Sequence, residues 1–281
     1  MNCGMNALST WSQFAQQSDV SVSPSFLGTP PKITLPHSVS QQSPMVGVAQ
    51  RVSLTPSAIR SFKIDGPAGD LEAVLNDGSP DAPFTALVCH PHPLFGGTLH
   101  NKVVYHAMKA LNDPAWGLGL PVLRFNFRGV GLSKGVHHGK NEVEDVVAAL
   151  AWLKREFDLP ILLAGFSFGA VMALRACHLI AARSETSTTH SSIHALIALG
   201  LPTLPPSGPG YQSYLPSLTL PKLLLSGGSD QFAPVAELEQ LASLAAEPRR
   251  LILIPHADHF FTDQLEPMQR ALAGWSKEQM P

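Results

Sequence analysis

Short apolar runs alternate with longer amphipathic segments along most of the chain. Eight runs predict strands, at residues 60–64, 71–76, 84–89, 122–125, 160–164, 195–199, 223–226 and 251–254. Most of them lack polar alternation, which is typical of strands buried on both faces of a parallel sheet. Amphipathic segments predict helices between the later strands, at residues 102–111, 142–157, 169–182, 235–246 and 265–275. This alternation predicts a doubly wound, mostly parallel α/β sheet.

The first part of the chain differs in composition. Residues 1–58 hold 11 serines, 6 prolines and 6 glutamines but only three charged residues, Asp19, Lys32 and Arg51. Such a segment can bury little apolar surface and has no clear period, so we expect a disordered or loosely packed extension. It lacks the basic start and apolar stretch of a secretory signal, and it is not Arg-rich like a transit peptide. The second predicted unit is a single α/β domain over residues 59–281.

Composition excludes several classes of partner. The chain has 281 residues with 19 Lys+Arg against 21 Asp+Glu, a formal charge of −2, so no basic field favours nucleic acid as its main partner. No run approaches the ~18–20 apolar residues that span a bilayer, so we predict no membrane association. The three cysteines, Cys3, Cys89 and Cys177, are too few for a disulfide scaffold and favour a reducing, cytoplasmic setting. The oligomeric state is not predicted.

One strand-to-helix turn has the features of a nucleophile site. Residues 165–169 read Gly-Phe-Ser-Phe-Gly, between a predicted buried strand and an apolar helix. A nucleophile on so sharp a turn needs small neighbours two residues away, because strand and helix pack closely there. The helix start would place its free N–H groups beside the hydroxyl. We therefore predict Ser167 as a nucleophile and the amide of Phe168 as an oxyanion donor.

Elimination indicates the partners of this serine, which needs a base and an orienting acid. Residues 186–229 contain no Asp or Glu, so Asp230, just after a predicted strand, is the first available acid. Only His256 and His259 follow it. His259 lies further into the loop after the last strand and is preferred, with His256 as the alternative. Asp258 is interpreted as a local loop or cap residue.

These motifs together resemble the α/β-hydrolase superfamily over residues 59–276. The resemblance rests on His-Pro-His-Pro-Leu-Phe-Gly-Gly at 90–97, Phe-Asn-Phe-Arg-Gly-Val-Gly-Leu-Ser at 125–133 and the pentapeptide at 165–169. More narrowly, the chain is similar to small bacterial serine hydrolases related to dienelactone hydrolases. Dienelactone hydrolases proper carry cysteine at the nucleophile turn, whereas this chain has Ser167, so the resemblance does not extend to the dienelactone reaction itself. The resemblance implies an α/β-hydrolase fold and acyl-transfer chemistry, and leaves the substrate open.

In this fold the loop after the third strand provides a second oxyanion donor. Pro91 and Pro93 have no N–H, so the amide of Leu94 is the first choice and that of His92 the second. A metal site at His90 and His92 is disfavoured because a closed site needs about four ligands. We expect these two histidines to shape the loop through hydrogen bonds. Arg128 is expected to connect neighbouring loops, and the pair His137-His138 to face solvent.

The sequence predicts a serine hydrolase of short acyl esters that needs no metal or organic cofactor and acts on a small-molecule substrate. The connection 201–220 is too short for a lid domain, which predicts an open, shallow site. Alternatives are a thioesterase, acyltransferase or peptidase with the same triad, or a non-catalytic ligand-binding protein. Aromatic residues near the site are candidates for lining it: Phe95, Phe166, Phe168, Tyr211, Tyr214, Phe260 and Phe261.

Overall fold

A computed structural model describes residues 58–116, 118–184, 192–203 and 211–280. The extension predicted for residues 1–58 lies, except for its last residue, outside the described residues. Eight strands lie within these ranges: β1 (Ile59–Ile64), β2 (Leu71–Asn76), β3 (Thr85–Cys89), β4 (Val122–Phe125), β5 (Ile161–Phe166), β6 (Ile193–Leu199), β7 (Lys222–Gly227) and β8 (Arg249–Ile254). The predicted strands agree with these within two residues at either end.

The strands form one sheet with the order β1-β2-β4-β3-β5-β6-β7-β8. The first pairings, β1 with β2 and β2 with β4, are antiparallel, and all later pairings are parallel. Because β3 pairs with both β4 and β5, the chain reverses its direction of progress across the sheet at β3. Loops that follow the carboxyl ends of the central strands meet at such a reversal, where α/β sheets carry their sites.

Five α-helices within the described residues cover the two faces of the sheet. They are α1 (Lys102–Asn112), α2 (Glu142–Phe157), α3 (Phe168–Ser184), α4 (Val235–Leu244) and α5 (Leu265–Glu278). Helices α1 and α5 bury apolar residues in one core cluster, whereas α2, α3 and α4 contribute to the other. In α2, Val146, Leu150 and Leu153 are buried at the three- and four-residue spacing of one helix face. The predicted doubly wound α/β architecture is therefore confirmed.

The connection between β6 and β7 spans residues 200–221, and its described part contains one short 3₁₀ turn, Tyr211–Tyr214. So short a connection leaves no room for a separate lid domain. Within the described ranges, no helix is at once long and apolar enough to span a bilayer.

Candidate active site

Ser167 forms the turn between β5 and α3. Its φ is +55°, a left-handed conformation that is uncommon for a residue with a side chain. The amide of Ser167 donates a hydrogen bond to the carbonyl oxygen of Leu199 at the end of β6, at 2.9 Å. Phe168 is the first residue of α3, and the first four N–H groups of a helix lack intrahelical acceptors. The amides of Ala170 and Val171 donate to the carbonyl oxygen of Ser167 at 2.9 and 3.2 Å, so the amide of Phe168 is the one directly beside the nucleophile that can meet an anion.

The two glycines that flank Ser167 are dictated by backbone contacts. A Cβ on Gly165 would stand 2.3 Å from the carbonyl oxygen of Gly169. A Cβ on Gly169 would stand 2.4 Å from the carbonyl oxygen of Cys89 and 2.6 Å from that of His90. Since backbone atoms cannot turn aside as side chains can, neither position accepts a larger residue without a shift of the chain. The start of α3 thus packs directly on the end of β3.

Three polar side chains from distant segments form a hydrogen-bonded chain at this turn. Oγ of Ser167 lies 3.0 Å from Nε2 of His259, and Nδ1 of the same ring lies 2.9 Å from Oδ2 of Asp230. All three residues are buried, each at most 3% exposed. The structure therefore brings together the predicted nucleophile, base and acid in the order that acyl-transfer chemistry requires.

Asp230 is held by two further hydrogen bonds. Oδ1 accepts from the amide of Phe232 at 2.8 Å, and Oδ2 accepts from the hydroxyl of Ser226 at 3.0 Å. Burial alone would raise the pKa of this carboxyl, but the hydrogen bonds from His259, Phe232 and Ser226 bring the net pKa below its ordinary value. Asp230 is therefore a carboxylate at neutral pH. Nothing in the sequence pattern had indicated Ser226 as its partner.

The loops that carry the acid and the base are joined through their backbones. The amide of Ser229 donates to the carbonyl oxygen of Ala257 at 2.8 Å. A Cβ on Gly227 would stand 2.2 Å from that same oxygen, so only glycine allows this approach. The contact fixes the ends of β7 and β8 against each other, and Asp230 and His259 with them.

The alternatives weighed for the base and acid lie elsewhere. His256 is exposed and adopts a φ of +61°, two residues after β8. Asp258 accepts hydrogen bonds from the amides of Phe260 and Thr262 and from the hydroxyl of Thr262, so it closes its own loop, as expected.

Aromatic rings surround the imidazole of His259. The ring centroids of Phe166, Phe232 and Phe260 lie 5.0, 4.7 and 5.2 Å from it. Gly200 leaves room on another side, since a Cβ there would stand 3.2 Å from the imidazole. Packing on several sides restricts the ring to an orientation that serves both hydrogen bonds. Neither Phe232 nor Gly200 was singled out by the sequence pattern.

Two of the proposed substrate-lining residues do not line an open site. Phe166 is fully buried beneath His259, where it supports the imidazole. Tyr211 is 2% exposed, and its hydroxyl donates to the carbonyl oxygen of Pro202 within the core. Phe166 and Tyr211 are therefore core residues. The aromatic composition of the loops does not indicate this.

The other aromatic candidates fall into two groups. Phe260 is 40% exposed beside His259, and Phe95 is half-buried beside His92, so both remain candidates for substrate contact. Phe168 and Phe261 are buried, and Tyr214 stacks on His178 at 3.9 Å.

His90 shapes the loop after β3 with both ring nitrogens. Nδ1 donates to the carbonyl oxygen of Pro91 at 2.7 Å, which leaves Nε2 to accept from the amide of Phe127 at 3.0 Å. Burial lowers the pKa of His90 to about 3, and the ring is therefore neutral. With both nitrogens in use, His90 has no lone pair for a metal. The described residues include no group of three or more His, Cys, Asp or Glu that could hold a metal ion.

The amide of Leu94 is already engaged. It donates to Nδ1 of His92 at 3.2 Å, and its side chain is 76% exposed. This hydrogen bond disfavours Leu94 as the second oxyanion donor, because an oxyanion would have to compete with the imidazole of His92 for the same N–H. Among the described residues, no acceptor takes the main-chain N–H of His92.

The loop after β4 carries a second group of charged residues. The guanidinium of Arg128 pairs with Asp145 on α2 at 2.6 Å, and the amide of Arg128 donates to the same carboxylate at 3.0 Å. Both side chains are buried, so Arg128 connects this loop to α2, as expected.

His137 is not a solvent-facing residue, contrary to expectation. Its side chain is 10% exposed, and Nδ1 lies 2.9 Å from Oε1 of Glu142, a separation typical of an ion pair although the two groups are not aligned for a hydrogen bond. Glu142 is fully buried and accepts a hydrogen bond from the amide of His138 at 2.7 Å. Burial would raise the pKa of Glu142, but the backbone donors and His137 bring it below its ordinary value. The glycine-rich sequence of this loop does not indicate that the imidazole of His137 faces inward.

A sheet of this order, with a nucleophile turn between a strand and a helix, is the architecture of the α/β-hydrolase fold. Comparison with known families agrees, because a family model described as "Alpha/beta hydrolase domain" matches residues 101–273. The chain belongs to the α/β-hydrolase family, and its architecture and family support a hydrolase.

Relatives and solved structures extend this assignment. An uncharacterized protein of Rickettsia prowazekii is 36% identical over 220 residues, which cover 74% of this chain and 84% of that protein. The structure of an alpha-beta serine hydrolase homologue from Coxiella burnetii is similar with a TM-score of 0.66 and 32% identity, over 76% of this chain and 96% of that one. A serine hydrolase without lid from Xanthomonas campestris matches with a TM-score of 0.66 and 31% identity, over 81% and 98% of the two chains.

Proposed function

We propose that this protein hydrolyses esters of short acyl chains through an acyl-enzyme on Ser167. The observation that carries the proposal is the chain of hydrogen bonds from Ser167 through His259 to Asp230, at 3.0 and 2.9 Å. Serine is a weak nucleophile by itself, and an imidazole within hydrogen-bond reach is the group that activates it.

In the proposed reaction His259 takes the proton of the Ser167 hydroxyl as its oxygen attacks the ester carbonyl. The tetrahedral intermediate collapses when His259 returns that proton to the departing alcohol, which leaves an acyl-serine. His259 then takes a proton from a water molecule as the water oxygen attacks the acyl-serine, and returns it to Oγ of Ser167 as the acid product leaves. Asp230 stabilises the imidazolium that forms in each half and keeps Nδ1 as the protonated nitrogen.

The negative oxygen of the intermediate needs fixed donors. We assign the amide of Phe168 as the first, because it follows the nucleophile directly and starts α3. The main-chain amide of His92 is the second, in place of Leu94, whose N–H is engaged. Removing one such donor costs about 10²–10³ in kcat, so the assignment has a measurable consequence.

The preference for short acyl chains rests on the shortness of the connection between β6 and β7. The 200–221 connection cannot cover a long chain, and exposed Phe260 and Leu94 lie on loops of the same sheet edge. An open site with isolated apolar contacts gains little from each further methylene of a chain that stays in water.

The test is activity across matched p-nitrophenyl esters, thioesters and anilides, with Ser167→Ala as the blank. We expect turnover of p-nitrophenyl acetate that falls by several orders of magnitude in Ser167→Ala, and no preference for chains of twelve or more carbons. A fluorophosphonate should label Ser167 covalently. Faster turnover of thioesters or anilides would move the assignment to a thioesterase or peptidase, and folded protein that neither labels nor turns over would be a binding protein.

A further inference from the structure

The turn that begins at His92 is closed by the side chain of its own first residue. Nδ1 of His92 accepts from the amide of Leu94 at 3.2 Å, two residues ahead, in the manner of an Asx turn. The carbonyl oxygen of His92 accepts from the amides of Phe95 and Gly97, both at 3.1 Å. Gly96, with a φ of +77°, ends the turn. An imidazole nitrogen that accepts must be unprotonated, so the proton of a neutral His92 is on Nε2.

Neighbouring rings fix the imidazole of His92. His137 lies at 5.0 Å, Phe168 at 4.9 Å and Phe95 at 5.1 Å between ring centroids. The ring of His137 is itself in contact with the buried carboxylate of Glu142. A series of side chains thus runs from the start of α2 to the turn at His92.

This series ends beside the nucleophile. Phe168, which touches both His92 and His137, is the residue directly after Ser167. Gly169 packs on the carbonyl oxygens of Cys89 and His90, so the chain just before His92 is in direct contact with the start of α3. Any loosening of the turn at His92 would therefore occur next to the amide of Phe168.

We propose that the imidazole of His92 is a positioning residue that orients the main-chain amide of the same residue as the second oxyanion donor. The inference rests on the proposed function. The bond from Leu94 to Nδ1 fixes the side chain relative to the residues that follow, and the contacts with His137 and Phe168 fix it relative to α2 and α3. The φ of His92, and with it the direction of the His92 N–H relative to the ring, is thereby restricted.

Two substitutions separate the acceptor from the ring. His92→Asn keeps an acceptor for the amide two residues ahead but removes the ring, because asparagine forms Asx turns. His92→Phe keeps an aromatic ring against Phe95, His137 and Phe168 but removes the acceptor. Both variants retain the main-chain N–H of residue 92, so only its orientation is changed.

The experiment measures kcat and KM for p-nitrophenyl acetate in both variants, beside the wild type and Ser167→Ala, with thermal unfolding as a check of folding. We expect His92→Phe to lose about 10- to 100-fold in kcat with KM changed less than about threefold, as for a misplaced transition-state contact. His92→Asn should recover most of that loss. Should His92→Phe fail to fold, His92→Ala takes its place in the comparison.

Wild-type kcat in His92→Phe, or a larger loss in His92→Asn than in His92→Phe, would overturn the inference, since the bond from Leu94 to the His92 side chain would then not be what orients the amide. In both outcomes an inactive Ser167→Ala would leave the proposed function intact. An active Ser167→Ala would overturn the proposed function, and the role of His92 with it.

Discussion

The backbone of Gly169 approaches that of His90 so closely that a Cβ at position 169 would stand 2.6 Å from the carbonyl oxygen of His90. Both residues lie next to the proposed reaction centre, one just after the nucleophile and the other just before the oxyanion loop. The addition of one methyl group at this contact therefore changes the geometry of both the nucleophile turn and the oxyanion loop.

Gly169→Ala should destabilise the fold by about 1–3 kcal/mol and reduce ester turnover, because the new methyl group meets backbone that cannot rotate away. Urea unfolding and kcat provide the two measurements. Gly274→Ala is the matched control, since Gly274 is also helical and a Cβ there meets nothing within 4 Å. That variant should gain about 0.5–1 kcal/mol of stability and keep its activity. Equal behaviour of the two variants would contradict the account of the close contact.

Asp230→Asn should lower kcat by about 10³–10⁴-fold with the fold intact, because a neutral amide neither stabilises an imidazolium nor fixes Nδ1 as the donor. Steady-state kinetics on p-nitrophenyl acetate checks it. Ser226→Ala removes only one of the hydrogen bonds to Asp230 and should cost about tenfold or less in kcat. A larger loss in Ser226→Ala than in Asp230→Asn would show that the acid is not the group that orients His259.

The neutral, buried His90 predicts a pH-dependent stability. Its pKa is lowered to about 3 in the fold, chiefly by burial, from an ordinary value of 6.5. Below pH 6.5 the unfolded chain takes up a proton that the folded one refuses, so this contribution is present above pH 6.5 and is lost as the pH falls towards 3. The slope is about 1.4 kcal/mol per pH unit within that window.

Urea midpoints between pH 4 and pH 7 measure this slope. His90→Asn should be less stable than the wild type at pH 7, because the ring's hydrogen bonds are lost, but should show a shallower decline towards pH 4. His256→Asn is the control, since an exposed imidazole meets water in both states. Parallel pH profiles for the wild type and His90→Asn would rule out this origin of the slope.

Asp145→Asn should destabilise the protein by about 3–5 kcal/mol, because it leaves the buried guanidinium of Arg128 without its counter-charge. Glu144→Gln, one residue away on α2, breaks an exposed pair with Arg183 and should cost less than about 1 kcal/mol. Chemical denaturation of the two variants compares the pairs directly. Similar losses from both would indicate that burial does not distinguish them.

Strands, helices and the Ser-His-Asp constellation could be predicted from the sequence because each rests on a local signal. Buried runs mark the strands, and glycines around Ser167 mark the turn. Asp230 could be predicted as the acid by elimination, since residues 186–229 contain no carboxylate. Long-range contacts gave no such signal.

The predictions that differ from the structure all concern long-range contacts. The sequence predicts Tyr211 as a lining residue, but its hydroxyl donates to the carbonyl oxygen of Pro202 within the core. His137 turns inward to Glu142, a contact set by how α2 packs rather than by the loop sequence. The engagement of Leu94 depends on the rotamer of His92, which a sequence does not specify.

A backbone hydrogen bond joins the segments after β7 and β8, so the proposed reaction centre consists of two parts. Asp230 and His259 sit on segments bridged by the Ser229–Ala257 bond, whereas Ser167 sits on the turn into α3. The Ser229–Ala257 bond resists separation of the two segments that carry the acid and the base, so local opening should part the imidazole from the hydroxyl before it parts from the carboxylate. Partial unfolding would then leave Ser167 without its base, while His259 and Asp230 remain hydrogen-bonded to each other.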